Sequence, residues 1–360
     1  MTLPKPRKIE IERYIEGLSK FKKNNNPIKL SANESALGPS PNAIEAFIKE
    51  KDKIFQYPES DSYSLREVIS KKFNINSERI ICGSGSDQIF DLVCQIFIEP
   101  GDEVIVTEYG FIMYKIYASL YKAKVLLAKE KNFKASVDEI LKKVTNKTKI
   151  VFIANPNNPT GTYLTKTEML NLRQKLKKNI LLVVDDAYFE FLNKKDDFTS
   201  GLDLFKEEEN VLITRTFSKI YGLAGLRLGW GYASKEIINV MYQIKPPFNV
   251  NRAALCSGIE ALKDNEWIKK AFEYNRLWSK KIFSVLKECK IQTNEPTANF
   301  FLMNFDKTNL ASEEAFQRLI NKGLLLRKMI QYKLPNTLRL TIGDVESNEL
   351  FIKSIRGIIK

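Results

Sequence analysis

Lys219 stands in the run Thr214-Arg-Thr-Phe-Ser-Lys-Ile-Tyr-Gly-Leu-Ala-Gly-Leu-Arg-Leu-Gly-Trp-Gly231, directly after the β-prone residues Val211, Leu212 and Ile213. Its neighbours Phe217, Ile220, Tyr221, Leu223 and Leu226 are apolar, and an amine drawn out of water holds its proton less tightly and becomes a better nucleophile. The hydroxyls of Thr216 and Ser218 flank it, and Arg227 follows in a glycine-punctuated loop. Hydroxyl donors and a forked guanidinium match phosphate oxygens better than a point charge does. This set suits an amine that bonds covalently to an aldehyde while its neighbours hold a phosphate on the same molecule.

Asp185 closes a second informative run, Leu181-Leu-Val-Val-Asp185, with Tyr188 one turn further on. A carboxylate on an apolar strand is costly unless a cation pairs with it. A protonated pyridine nitrogen would be such a cation, and the ring it charges can absorb the electrons released when a substrate Cα loses its proton. Asn155-Pro-Asn-Asn-Pro-Thr-Gly161 follows another apolar strand. It reads equally as a rigid turn-rich loop or as a device that brings the amide of Asn158 to a phenolate-like oxygen, with Tyr188 as a second donor. Gly83-Ser-Gly-Ser-Asp-Gln88 joins a strand to a helix and leaves free N–H groups at the positive end of a helix dipole. That is an anion site; a dinucleotide fingerprint would need glycine where Gln88 stands. Aldehyde, phosphate, pyridine nitrogen and ring oxygen together describe pyridoxal 5'-phosphate.

Composition narrows the alternatives. The 360 residues contain no histidine, which removes the commonest general base and metal ligand, and every Ser-His or Cys-His nucleophile. The four cysteines (Cys82, Cys94, Cys256, Cys289) are scattered, so neither a disulfide framework nor a zinc site is expected, and no metal is assigned. The net charge of +14 comes mostly from dispersed lysines without clustered arginines and interleaved aromatics, so nucleic acid is not expected as a partner. Neither a secretory signal nor an apolar run of about 20 residues is present, which predicts a cytoplasmic protein without membrane attachment.

The elements that must position these residues follow a βα rhythm. Strands are expected at Arg79–Cys82, Glu103–Thr107, Lys124–Ala128, Ile150–Ala154, Ile180–Val184 and Val211–Ile213, with helices between them. The capping boxes Ser136-x-x-Glu139 and Thr165-x-x-Glu168 open two of those helices. Such alternation predicts an α/β fold around a mostly parallel sheet covered on both faces. Pro246, Pro247 and Asn249 interrupt the pattern before two long helices, Asn251–Lys263 and Asn265 to about Lys287. Strands near Phe300–Phe305, Leu324–Arg327 and Leu338–Ile342, with helices near Ser312–Asn321 and Glu346–Ile359, complete the chain. The expected division is an N-terminal arm (1–41) carrying one short helix and packing with the smaller domain, a large cofactor-binding domain (42–250), and interdomain helices with a small α+β domain (251–360).

The chain resembles the fold-type I pyridoxal-phosphate aminotransferases, and within them the histidinol-phosphate aminotransferases. The matching segments are Leu30-Ser-Ala-Asn-Glu34, Gly38-Pro-Ser-Pro41, Tyr57-Pro58, Gly83-Ser-Gly-Ser-Asp87, Asn155–Gly161, Asp185 with Ala187-Tyr188, Arg215-Thr-Phe-Ser-Lys219, Gly222-Leu-Ala-Gly-Leu-Arg227, Leu326-Arg327 and Leu338-Arg339. The resemblance implies a mostly parallel seven-stranded sheet in αβα layers plus a small α+β domain. It implies ping-pong transfer of an amino group between glutamate/2-oxoglutarate and imidazole-acetol phosphate/L-histidinol phosphate in histidine biosynthesis. An aromatic amino-acid aminotransferase would use the same machinery, and a phospho-amino-acid decarboxylase shares the fold.

Residue by residue, the resemblance makes Lys219 the covalent anchor and proton carrier, Asp185 the partner of the pyridine nitrogen, and Asn158 and Tyr188 the donors to the ring oxygen. Phe111 would stack on the ring, while Ser86, Asp87, Thr216, Ser218 and Arg227 would surround the phosphate. Tyr57 would reach that phosphate from a second subunit, which implies a homodimer with shared sites. Arg339 would take the carboxylate of glutamate, and Arg327, Tyr14 and Asn33 the phosphate end of the substrate. The sequence departs from the family pattern at Ser35-Ala36, after Tyr14, and at Asp186, departures expected at the substrate or dimer edge.

Overall fold

The computed structural model describes residues 11, 13–15, 27–192 and 197–359. Most of residues 1–30, where a short helix and the lysine- and asparagine-rich loop are expected, lies outside them.

Ile28–Lys29 form strand β1. Helix α1 (Pro41–Lys49) begins at Pro41, where the missing N–H costs nothing, and Ser40 Oγ accepts from the N–H of Ala43. There follow α2 (Tyr63–Phe73), β2 (Ile80–Gly83), α3 (Ser86–Phe97), β3 (Glu103–Thr107), α4 (Ile112–Leu120) and β4 (Lys124–Ala128). A hairpin of β5 (Glu130–Lys131) and β6 (Lys134–Ala135) leads to α5 (Val137–Leu141) and β7 (Thr148–Ala154). Only one of the two expected capping boxes forms. At α6 (Lys166–Lys175), Thr165 Oγ1 accepts from Glu168 N–H while Glu168 accepts from Thr165 N–H. At α5 the Ser136 side chain makes no cap and Glu139 is drawn instead to Lys142 Nζ, 2.7 Å away. That helix stops at Leu141.

The next elements are β8 (Leu181–Asp185), α7 (Gly201–Phe205), β9 (Val211–Thr216), β10 (Gly229–Tyr232) and α8 (Lys235–Ile244). Seven strands form one sheet in the order β2-β10-β9-β8-β7-β3-β4, parallel except for β10, which runs against both its neighbours. Strand β10 was not expected, because glycine is poor in strands and two occur in its four residues. Gly229 serves close approach: a Cβ there would lie 2.4 Å from the backbone nitrogen of Ser86. Successive strand residues alternate between two cores, Leu182 and Val184 in one, Leu181 and Val183 in the other, so both faces of the sheet are covered.

Two long helices, α9 (Arg252–Lys263) and α10 (Asn265–Glu288), precede β11 (Phe300–Asn304), α11 (Ser312–Ile320), β12 (Leu324–Leu325), β13 (Arg327–Lys328), β14 (Thr337–Thr341) and α12 (Val345–Ile359). The strand expected over Leu324–Arg327 is two short ones: β12 pairs in parallel with β1, and β13 pairs with β14. Helix α9 buries Ala254, Leu255, Ala261 and Leu262 in one of the two cores flanking the large sheet. Helix α10 passes from that core at Ala271 to a separate one at Trp278, Ile282 and Leu286, which also contains Leu30.

The turn after Lys219 locks the arm to the large sheet. Gly222 has φ +71°, and a Cβ there would fall 2.3 Å from the carbonyl carbon of Gly38. Backbone cannot swing aside as a side chain can. Gly222→Ala should therefore cost at least about 2 kcal/mol, read as a lower urea midpoint; a loss under about 0.5 kcal/mol would show that the contact is not constraining.

Candidate active site

The carboxyl ends of β7, β8 and β9 form the floor of one cleft. Asp185 is in register with Ala154 on one side and Thr214 on the other, which is where parallel sheets present ligand sites. The small-domain strands β13 and β14 supply the facing wall through Arg327 and Arg339. The cleft has a volume of about 480 Å³. Every candidate residue except Tyr57 lines it: Lys219, Asp185, Tyr188, Ser86, Asp87, Phe111, Asn158, Thr216, Ser218, Arg227, Tyr14, Asn33, Arg327 and Arg339.

Lys219 is half-buried, and its Nζ donates over 3.4 Å to the carbonyl of Asn33. Burial, and then the positive charge of Arg339, push its pKa down to about 8. The partner carbonyl lies on a strap of the N-terminal arm, the segment after β1, which Thr341 and Asn299 hold in place. Asn33 N–H donates to Thr341 Oγ1 (2.9 Å), and Asn299 Nδ2 donates to the carbonyls of both Asn33 and Glu34 (3.1 Å each). Asn33 has φ +55°, a left-handed conformation that asparagine tolerates better than most residues.

Asp185 is 5% exposed, and burial raises its pKa to about 6 against the opposing effect of two hydroxyl donors. Tyr114 Oη donates to Oδ2 at 2.6 Å and Thr214 Oγ1 to Oδ1 at 3.0 Å. Sequence reasoning missed both residues. The one-turn spacing of Tyr114 from Phe111 placed it near the ring-stacking residue but not against Asp185, and nothing local marked Thr214, which strand register sets beside Asp185.

At the side of the floor, Asn158 Oδ1 accepts from Arg339 Nη1 at 2.6 Å, which leaves the amide NH₂ as the donor available to the cleft. Tyr188 Oη accepts from Asn33 Nδ2 at 2.9 Å and so keeps its own proton to donate. Arg227 Nη1 lies 3.4 Å from Ser218 Oγ, and its Nη2 donates to Asp87 Oδ2 at 3.2 Å. Gly85 (φ +78°) immediately precedes α3, and a Cβ there would lie 2.4 Å from Arg227 Nη2. Glycine thus lets the guanidinium come close to the start of the helix, so that both can face one anion.

On the opposing wall, Arg339 Nη2 donates to the carbonyl of Ser31 at 2.8 Å, while its buried Nε has no partner. Arg327 donates to Tyr14 Oη at 3.1 Å. Neither arginine is ion-paired with a carboxylate among the described residues. Tyr332, Lys29 and Glu34 also line the cleft, the last two joined by a 2.8 Å ion pair. Tyr57 is 78% exposed and stacks on Phe248 at 4.4 Å instead of entering its own cleft. Asp186 is not at a substrate edge: it accepts from the N–H groups of Gly201 and Leu202 at the start of α7 and lies 3.6 Å from Arg215.

An enclosed amine, a strand-end carboxylate and a cradle of hydroxyls, guanidinium and helix start fit pyridoxal phosphate in number and chemistry. In cofactor-free protein, labelling of Lys219 by trinitrobenzenesulfonate should rise with pH around a midpoint near 8, against about 10.4 for a solvated lysine. Arg339→Met should raise that midpoint by removing a positive neighbour; an unmoved midpoint would assign the shift to burial alone.

Residues 25–355 match the family described as aminotransferase class I and II. The histidinol-phosphate aminotransferase of Pelagibacter ubique (strain HTCC1062) is 53% identical over 359 residues, covering 99% of each chain. That of Maricaulis maris (strain MCS10) is 38% identical over 353 residues, covering 98% of this chain and 97% of the other. Among solved structures, a histidinol-phosphate aminotransferase from Sinorhizobium meliloti in complex with pyridoxal-5'-phosphate has a TM-score of 0.85, covering 92% of this chain and 91% of that one. Its 21% identity makes this a likeness of fold. With the match running through the two cores of the large sheet, the separate core around Trp278 and the cleft lined from both parts, the chain belongs to the aminotransferase class I and II family.

Proposed function

We propose that this enzyme is a pyridoxal-phosphate-dependent transaminase that moves an amino group between glutamate/2-oxoglutarate and imidazole-acetol phosphate/L-histidinol phosphate, in histidine biosynthesis. The observation that carries the substrate reading is the pair Arg327 and Arg339: two guanidiniums on one wall, without carboxylate partners among the described residues, suit substrates that bring a phosphate or a second carboxylate. The 53% identity to a histidinol-phosphate aminotransferase supports the same choice.

When bound, pyridoxal phosphate supplies the aldehyde that captures the amino group and the charged ring that withdraws electrons from Cα. The chain's own residues do the rest. Lys219 anchors the cofactor and, once free, carries the Cα proton on Nζ; its pKa of about 8 keeps part of the amine neutral near neutral pH. Asp185 holds the positive charge on the ring nitrogen. Asn158 and Tyr188 donate to the ring oxygen, and Phe111 packs on the ring face. Ser86, Thr216, Ser218 and Arg227 hold the phosphate, with Asp87 orienting Arg227. Arg339 takes the carboxylate of glutamate, and Arg327, Tyr14 and Asn33 take the phosphate end of the alternate substrate.

The reading includes a homodimer in which Tyr57 reaches the partner's phosphate site. Its support is the exposure of Tyr57 beside Phe47, Ile48, Ile54 and Phe55, a concentration of apolar surface that a soluble monomer rarely leaves open. It also includes a cytoplasmic location, consistent with four unpaired cysteines, three of them buried. No helix among the described residues is long and apolar enough to cross a membrane.

Half-reaction spectroscopy tests the substrate. Histidinol phosphate should convert the holoenzyme from its aldehyde to its amine form at least about tenfold faster than phenylalanine or tyrosine, the scale set by one charge-assisted contact; equal rates would make it an aromatic aminotransferase with broad tolerance. Hybrid dimers test the shared site. Lys219→Ala chains mixed with Tyr57→Phe chains should regain activity above either parent, because one intact site per hybrid draws Tyr57 and Lys219 from different chains. No recovery would place Tyr57 outside the partner's site.

A further inference from the structure

Tyr114 touches two of the four residues assigned to the ring of the cofactor, Asp185 and Phe111. It lies three residues into the chain from Phe111, and its backbone N–H donates to the carbonyl of Phe111 at 3.2 Å as α4 begins. Its hydroxyl donates to Asp185 Oδ2 at 2.6 Å, and its ring meets that of Phe111 edge-on, with centroids 5.6 Å apart at 80°. The ring is itself fixed from two further directions, stacked on Phe152 at 4.9 Å and edge-on to Phe90 at 5.0 Å. With 1% exposure and three ring neighbours, Tyr114 has no room for another rotamer.

We propose that Tyr114 is a positioning residue that fixes the Asp185 carboxylate against the ring nitrogen and, through the same side chain, sets the ring of Phe111 against the cofactor face. This rests on the cofactor reading of the cleft given above. The chemistry is that of a carboxylate denied water. Each oxygen of Asp185 has one hydroxyl donor, and a short O–H···O⁻ bond favours the charged form and fixes its plane. Burial holds the Tyr114 hydroxyl well above its ordinary pKa, so it remains the donor. Without it, one oxygen of Asp185 would face desolvation with no compensating partner.

The test is Tyr114→Phe, which keeps the ring and its packing and removes only the hydroxyl. Its readout is equilibrium binding of pyridoxal phosphate and of 1-deazapyridoxal phosphate, which lacks the ring nitrogen, to the cofactor-free protein. Tyr114→Phe should weaken pyridoxal phosphate about tenfold and the deaza analogue by less than about twofold. In an Asp185→Asn background the same substitution should add nothing further, since its path of action is gone. Equal weakening of both compounds, or no weakening of either, would overturn the proposal and leave Tyr114 as packing alone. A wild-type protein that binds both compounds equally would instead sink the pairing of Asp185 with the ring nitrogen on which the proposal stands.

Discussion

Keeping a carboxylate charged at the end of a strand from which water is excluded is the condition on which the rest of this cleft depends. Moving Asp185 out of water costs several kcal/mol before any compensation, and the chain compensates locally with hydroxyls from two different elements, Tyr114 on α4 and Thr214 on β9. Both can reach because the sheet is parallel there. Parallel register places Asp185 beside Thr214, and the crossover through α4 returns a helix over the strand ends. In the reading proposed above, a cationic ring completes what the two hydroxyls begin.

The amine opposite faces the reverse problem. Desolvation disfavours its charged form, and Arg339 adds repulsion. Its hydrogen-bond acceptor, the Asn33 carbonyl, comes from a strap tied to the small domain through Thr341 and Asn299. Large-domain chemistry is therefore aligned by small-domain contacts. Helix α10 makes the two parts one body, since Ala271 and Trp278, on the same helix, are buried in separate cores. Leu30, at the start of the strap, belongs to the second core, so the strap's position follows that of the small-domain core.

Arginine pairing separates structural from ligand-facing cations. Arg215 is buried against Phe189, its guanidinium 3.6 Å from the ring centroid, with Asp186 3.6 Å away and Ser200 Oγ at 3.1 Å. Arg327 and Arg339 are buried to a similar degree yet face a cleft, and their protein partners are neutral oxygens of Tyr14, Ile15, Asn158 and Ser31. Neutral partners orient a guanidinium without neutralising it, which suits a site that receives anions.

The βα rhythm was legible in the sequence because fully buried parallel strands read as unbroken apolar runs, as in Leu181–Val184 and Ile150–Ile153. Lys219, Asp185 and the Gly83–Ser86 turn were legible because their chemistry conflicts with, or punctuates, those runs. What was not legible depends on partners distant in the chain. The second strand glycine of β10 and Gly229 make sense only beside Ile81 and Ser86. Tyr114 and Tyr332 look like ordinary aromatic core until folding brings one to Asp185, 71 residues away, and the other to the cleft wall. The sequence by itself determined the fold class and the chemistry, because strand periodicity, glycine turns and an amine among apolar residues are local properties. Tertiary structure alone decided which hydroxyls hold Asp185, which carbonyl holds Lys219 and how α10 joins the large-sheet core to the core around Trp278, because those partnerships are made by register and helix crossing between segments that share no local signal.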